Sequence, residues 1–192
     1  YRGSSFHSIG STKIIDNNRK INATEIFYDD TKQLMLLNGN SSIEDINRGL
    51  FGYEMNIQYV DTNIRNIIIK GEAFAYNKIN AKINSQGKLY SFRDEMNSND
   101  MTASFINNKI SKLDLKGMSS TKYHVIDDTL FMGTNQASGD SIILVFNDGD
   151  ISRIQVLGGA RGQFIPERNN TKVDTVIIYK AEKIDYFVKD KL

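Results

Sequence analysis

The chain contains no cysteine and no tryptophan, a single proline, and only two histidines among its 192 residues. Without thiols there is no disulfide framework and no thiolate metal site, and reducing and oxidising compartments are equally compatible with the count. His7 and His124 lie far apart, with no carboxylate or cysteine at metal-ligand spacing, so neither a metal nor a cofactor is expected. An excess of one charge is also missing: 24 basic and 23 acidic residues leave a formal net charge of +1. Such mixed charge sets up no long-range field for nucleic acid or an anionic membrane. No apolar run approaches the roughly 18 residues that a membrane-spanning helix needs.

Catalytic patterns are missing too. The neighbouring carboxylates Asp29-Asp30, Asp94-Glu95 and Asp127-Asp128 are read as turn residues, where aspartate bonds its own backbone. Asn147-Asp-Gly-Asp150 lacks the remaining ligands of a calcium loop. Gly158-Gly-Ala-Arg-Gly162 lacks both the Lys-Ser/Thr and the following helix of a phosphate loop. The glycosylation sequons at Asn22, Asn40 and Asn169 are the chance matches of an asparagine-rich chain. No nucleophile stands near a base, and the chain does not read as an enzyme.

What is present is strand pattern. Ile142, Leu144 and Phe146 alternate along one strand, Asp148-Gly149 supplies a tight turn, and Ile154 and Val156 alternate along the return strand to Gly158. The same frame occurs twice more without a gap. Met55, Ile57, Tyr59, Ile64, Ile67, Ile69 and Gly71 match Met101, Ala103, Phe105, Ile110, Leu113, Leu115 and Gly117, and each copy runs 16 residues from first apolar residue to glycine. A copy one residue shorter runs from Ile26 and Tyr28 through Met35 and Leu37 to Gly39, and Ala181 to Tyr186 opens a fifth. Repeat units therefore fall near 23–45, 53–76, 99–123 and 140–164, with another beginning at 181. A lone hairpin cannot bury its apolar face, so the copies must stack and extend a shared core.

The segments lack a period near 3.6, are rich in Ile, Tyr, Phe and Thr, and carry turn signals too close together for helices of ten or more residues. Residues 1–22 read as a polar edge or cap with a short strand over 12–15. Ser85 to Gly87, Asn97 to Asp100 and Asn135 to Gly139 read as turns, and 166–172 as an exposed loop. Glycine between the second and third strand of each unit fits a bend or bulge. The expectation is an all-β chain of roughly 14 to 17 strands in two facing antiparallel layers, forming one domain over 1–192. The start at Tyr1 and the stop a few residues into a new copy suggest a fragment of a longer repetitive protein.

Stacking the copies places Ile26, Ile57, Ala103, Leu144 and Ile184 in one internal row and Tyr28, Tyr59, Phe105, Phe146 and Tyr186 in the next. Two readings follow: a filled core, or an apolar groove open along one side for an acyl chain, in which each buried methylene contributes about 0.8 kcal/mol. On the groove reading the lining candidates are Ile26, Tyr28, Ile57, Tyr59, Ile67, Ile69, Phe105, Leu113, Leu115, Leu144, Phe146, Ile154 and Val156. The filled reading corresponds to a structural or adhesive β-solenoid without lipid cargo.

The phrases from Ala23 to Gly39, Ser138 to Phe146, Val156 to Gly162 and Ala181 to Tyr186 resemble the OstA-like family of lipopolysaccharide transport. That family's repeat looks like alanine, two residues, isoleucine, one residue, tyrosine, aspartate, then an apolar strand ending in glycine. The resemblance implies a twisted, open-ended periplasmic β-jellyroll that shields the acyl chains of lipopolysaccharide or lipid A on the way to the outer membrane. It also implies end-to-end joining, edge strand to edge strand, with related domains or further copies, and it leaves open both a free bridge and one tethered to the inner or outer membrane by parts outside this chain. The long stretch from Asn77 to Glu95 and the small Ala103 depart from the plain repeat.

Overall fold

The computed structural model describes residues 4–16, 18–61, 63–84, 87–148, 150–170 and 173–187, all in strands, turns and short connections. Ten strands follow in chain order: β1 (Ser5–Asp16), β2 (Arg19–Asp29), β3 (Leu34–Glu44), β4 (Arg48–Val60), β5 (Asn63–Lys82), β6 (Leu89–Ile106), β7 (Lys109–Asp127), β8 (Leu130–Asn147), β9 (Asp150–Pro166) and β10 (Ile177–Phe187). They form one sheet in sequential order, each strand antiparallel to its chain neighbour, with β1 and β10 at the edges.

Ten strands stand where the sequence pattern gives 14 to 17 because most strands cross a bend without breaking. Asn97 to Asp100 lies inside β6, and Asn135 to Gly139 lies inside β8, so these are not turns. The register of every neighbouring pair shifts at this level, as between Lys70 and Ala73 opposite Asp100 and Ser98. Each odd-numbered strand carries the extra residue, at Gly10, Gly39, Gly71, Gly117 and Gly158, all with positive φ. The residue after the glycine is left-handed as well at Asn40, Glu72, Met118 and Gly159. Two consecutive left-handed residues form a bulge that bends the strand sharply. Small polar residues gather there for the reason they gather in turns, which is why the sequence reads the bend as a loop.

The bulges of successive strands line up as a crease. On its inner side the paired positions hold small residues: Thr12 and Ala23, Ser41 and Gly52, Ala73 and Ser98, Ser119 and Gly139, Ala160 and Ala181. A side chain on Gly52 would meet Ile69, and one on Gly139 would lie 2.8 Å from Val156 Cγ1. The two halves of the sheet close on each other there, and nothing larger fits. Residues from both halves bury into one apolar cluster, so the sheet is folded over into two facing layers: a β-jellyroll.

β1 is longer than expected, running from Ser5 rather than Thr12, and β10 starts at Ile177 rather than near Val173. The hairpin turns of the three full copies are two residues long. Asn147 faces Asp150 across one of them, and Asp148 has φ 50°, while Gly149 lies outside the described residues. The turn reading over 85–87 likewise falls partly outside them, with Gly87 donating to Asn84 O at 3.0 Å.

The central strands β5 to β8 extend beyond their neighbours, using the long 77–95 stretch. Their far end curls until Lys82 of β5 pairs in parallel with Leu130 of β8. Asn170 pins this closure by donating from Nδ2 to Ile83 O and, at 2.8 Å, to Phe131 O.

Candidate functional site

The inner face of the first layer is built from two cross-strand rows. Register places Ile26, Leu37, Met55, Ile69, Met101, Leu115, Ile142, Val156 and Ile184 side by side, one per strand from β2 to β10. The row beside it holds Tyr28, Met35, Ile57, Ile67, Ala103, Leu113, Leu144, Ile154 and Tyr186. The rows assigned from sequence are therefore corrected at both ends. Ile26 and Ile184 align with Met55 and Val156 rather than with Ile57, and Tyr28 and Tyr186 align with Ile57 and Ile154 rather than with Tyr59. For the first copy the physical reason lies in the turn: β2 and β3 are joined by four residues, 30–33, and lack the loop-side bulge of the full copies.

That loop-side bulge recurs between Gln58 and Tyr59, Ser104 and Phe105, and Val145 and Phe146. In two copies the extra residue is a serine whose hydroxyl donates to the partner strand: Ser111 to Ser104 O and Ser152 to Val145 O, both at 3.1 Å.

The sequence-derived candidates come together on this interior. Ile26, Ile57, Ile67, Ile69, Leu113, Leu115, Leu144, Ile154 and Val156 are all buried, none more than 3% exposed. Tyr28, Tyr59, Phe105 and Phe146 are only partly buried; the last three, with Tyr186 and Ile184, pack against that core from its rim. Leu37, Met55, Met101 and Ile142 belong to the innermost row equally; their place in the repeat frame was the signal that should have added them.

The second layer is different. Its inner face holds Ala75, Met96 and Ala137, but also Asp94, Thr121 and Asn135, all buried. Tyr179 donates to Asn135 Oδ1 at 2.6 Å, and its ring meets that of Tyr186 edge-on at 5.3 Å. Burial pushes the Tyr123 phenol well above its ordinary range and raises Tyr59 and Tyr179 too, so all three stay neutral donors near neutrality. Sequence reading missed this polar patch. Tyr76 follows its glycine by five residues and Tyr123 by six, and that one-residue difference sends Tyr76 outward and Tyr123 inward.

Asp94 is not a turn residue. It sits inside β6 and accepts from both the backbone N–H and Nδ1 of His124 at 2.8 Å. The His124 ring lies against Phe92 and Phe131, whose centroids are 4.6 Å apart. His124 is thus a strand histidine of β7 whose side chain anchors the closed end. Among the described residues there is no group of three or more His, Asp or Glu side chains able to hold a metal.

These features define a class: an open, creased β-jellyroll whose first layer carries a continuous apolar inner face. No family model matches the chain, and no curated protein matches it. Among solved structures it is similar to LptH of Pseudomonas aeruginosa, the LptA-homologous periplasmic component of that organism's lipopolysaccharide transport device. The identity is 11%, the TM-score 0.49, and the match covers 84% of this chain and 93% of that one.

Proposed function

We propose that this chain is a non-enzymatic periplasmic module that carries the acyl portion of lipopolysaccharide or lipid A through its interior and bridges to related domains. One observation carries the reading: the innermost row holds apolar side chains on nine successive strands and runs from one sheet edge toward the other. A buried stripe continuous across the whole stack is what a chain passed along the molecule, or on to a neighbour, requires. The OstA-like phrases in the sequence point the same way.

Entry is at the rim away from the crease, where Tyr59, Phe105 and Phe146 cover the inner rows. A lipid tail replaces these rings and regains about 0.8 kcal/mol for each methylene it buries. The edges suit bridging, because β1 exposes Phe6, Ile9 and Ile15 and β10 exposes Ile177, Ile178 and Phe187 beside unpaired backbone.

The near-complete burial of the inner rows favours a second reading, a structural or adhesive scaffold with a filled core. Photocrosslinkers placed singly at Tyr59, Phe105 and Phe146 in cells making lipopolysaccharide separate the two. Crosslinks to the lipid from these positions, absent from the outward Lys112, establish cargo. Crosslinks to protein alone, with no displacement of a fluorescent lipid A by the purified chain, establish the scaffold.

A further inference from the structure

The outward face of the second layer holds a shallow depression of about 430 Å³ across β6 to β9, with Ile178 of the edge strand β10 at its border. Its floor is made of short polar side chains in register, Asn97 beside Ser120 and Ser120 beside Ser138. The neighbouring row forms a wall of longer ones, in which Gln163 Nε2 donates to Gln136 Oε1 at 2.7 Å. Lys122 and Arg161 stand over the depression, both exposed. Among the described residues neither has a carboxylate partner, whereas Glu95 on the same face accepts from Arg93 Nε at 3.3 Å.

An aromatic platform adjoins this polar floor. Phe51, Phe74 and Tyr76 stack in a ladder with centroids 5.7 to 6.3 Å apart, and the Arg93 guanidinium lies 4.3 Å from the Tyr76 ring centre. Tyr76 pairs in register with Glu95, so platform and depression are continuous. The three rings point outward and are each partly exposed, with Arg93 lying over Tyr76 and Phe74.

We infer that this face binds an acidic oligosaccharide. Amides and hydroxyls both donate and accept, as sugar hydroxyls do. The partly exposed aromatic ladder offers apolar contact to the C–H groups of a pyranose beside the polar floor, and the two unpaired cations suit a carboxylate or phosphate on the sugar. The ligand is a soluble glycan and not the headgroup of a lipid held inside: Ala137 points into the interior while its neighbours Gln136 and Ser138 point out. A whole sheet thickness separates the two sites.

Titrating the 15N-labelled chain with a hexamer of galacturonic acid tests this. Expected are saturable amide shifts at 120–122, 136–138 and 161–163, and affinity at least about tenfold weaker in the Lys122→Gln/Arg161→Gln double variant, from loss of charge-assisted bonds. Lys116→Gln, outside the depression, leaves binding unchanged, and neutral maltohexaose binds more weakly. Absence of shifts with galacturonate overturns the inference. So does equally tight binding of inorganic tripolyphosphate at the same residues, which marks a mere anion patch. Binding of lipid A that is lost in the double variant assigns the face to the lipid instead, and overturns it too.

Discussion

Met118 holds φ 47° in the second position of its bulge, and it is 80% exposed. A side chain in that conformation costs about 1 kcal/mol, and here no burial offsets it. Met118→Gly is therefore expected to stabilise the protein by about 0.5–1 kcal/mol, seen as a higher midpoint in thermal unfolding; an unchanged or lower midpoint would show that the bulge is not strained. Leu144 is the opposite case. It is fully buried in the second inner row, and Leu144→Ala should cost about 2–5 kcal/mol in denaturant unfolding, while the outward Lys112→Ala on β7 should change stability little. At the last strand pair, hydrogen bonds from Lys183, Arg153 and Gln155 lower the Asp185 carboxyl from 3.8 to about 2. A carboxylate lowered on folding stabilises the folded form fully above its unfolded value, and that contribution fades as pH falls toward the folded value. Amide protection in β10, corrected for intrinsic exchange, should thus hold down to about pH 4 and decline between about 4 and 2. In Asp185→Asn that decline should be absent.

At the scale of the element, the crease decides the architecture. Gly158 has φ 72°, and an added Cβ would run into the carboxylate of Asp140. Gly158→Ala should destabilise by more than about 1 kcal/mol, while Gly159→Ala, where the added Cβ has open space, should cost less. Equal losses would show that backbone conformation alone sets the cost. The glycine frame and the alternating rows were legible in the sequence because period-2 burial writes itself into residue type. The strand count was not, since a bulge and a turn draw on the same Asn, Ser, Asp and Gly residues, as 97–100 shows. Neither was the first copy's alignment, which depended on a missing bulge residue, nor the Asp94–His124 pair, which joins residues 30 positions apart with no local spacing to announce it. The inner candidates were legible by repetition; whether they meet a lipid is chemistry that apolar side chains alone do not spell out.

At the scale of the molecule, the two edges differ from the middle. The curled end formed by β5 to β8 is fastened by Lys82, Asn170 and the aromatic cluster around His124, whereas β1 and β10 end with unpaired backbone and exposed apolar side chains. Ile9→Lys together with Ile178→Lys should abolish any concentration-dependent association seen by light scattering, because a charge at an edge blocks strand addition. The strand order has a further consequence. Every strand but the β5–β8 contact pairs only with its neighbours in the chain, and no connection crosses over another. Each added hairpin lengthens the stack by two strand spacings, about 9.6 Å, without rerouting anything already built. The sheet is thus a ruler: its reach is counted in hairpins, and descent with one hairpin more or fewer would resize the molecule while leaving its cross-section unchanged.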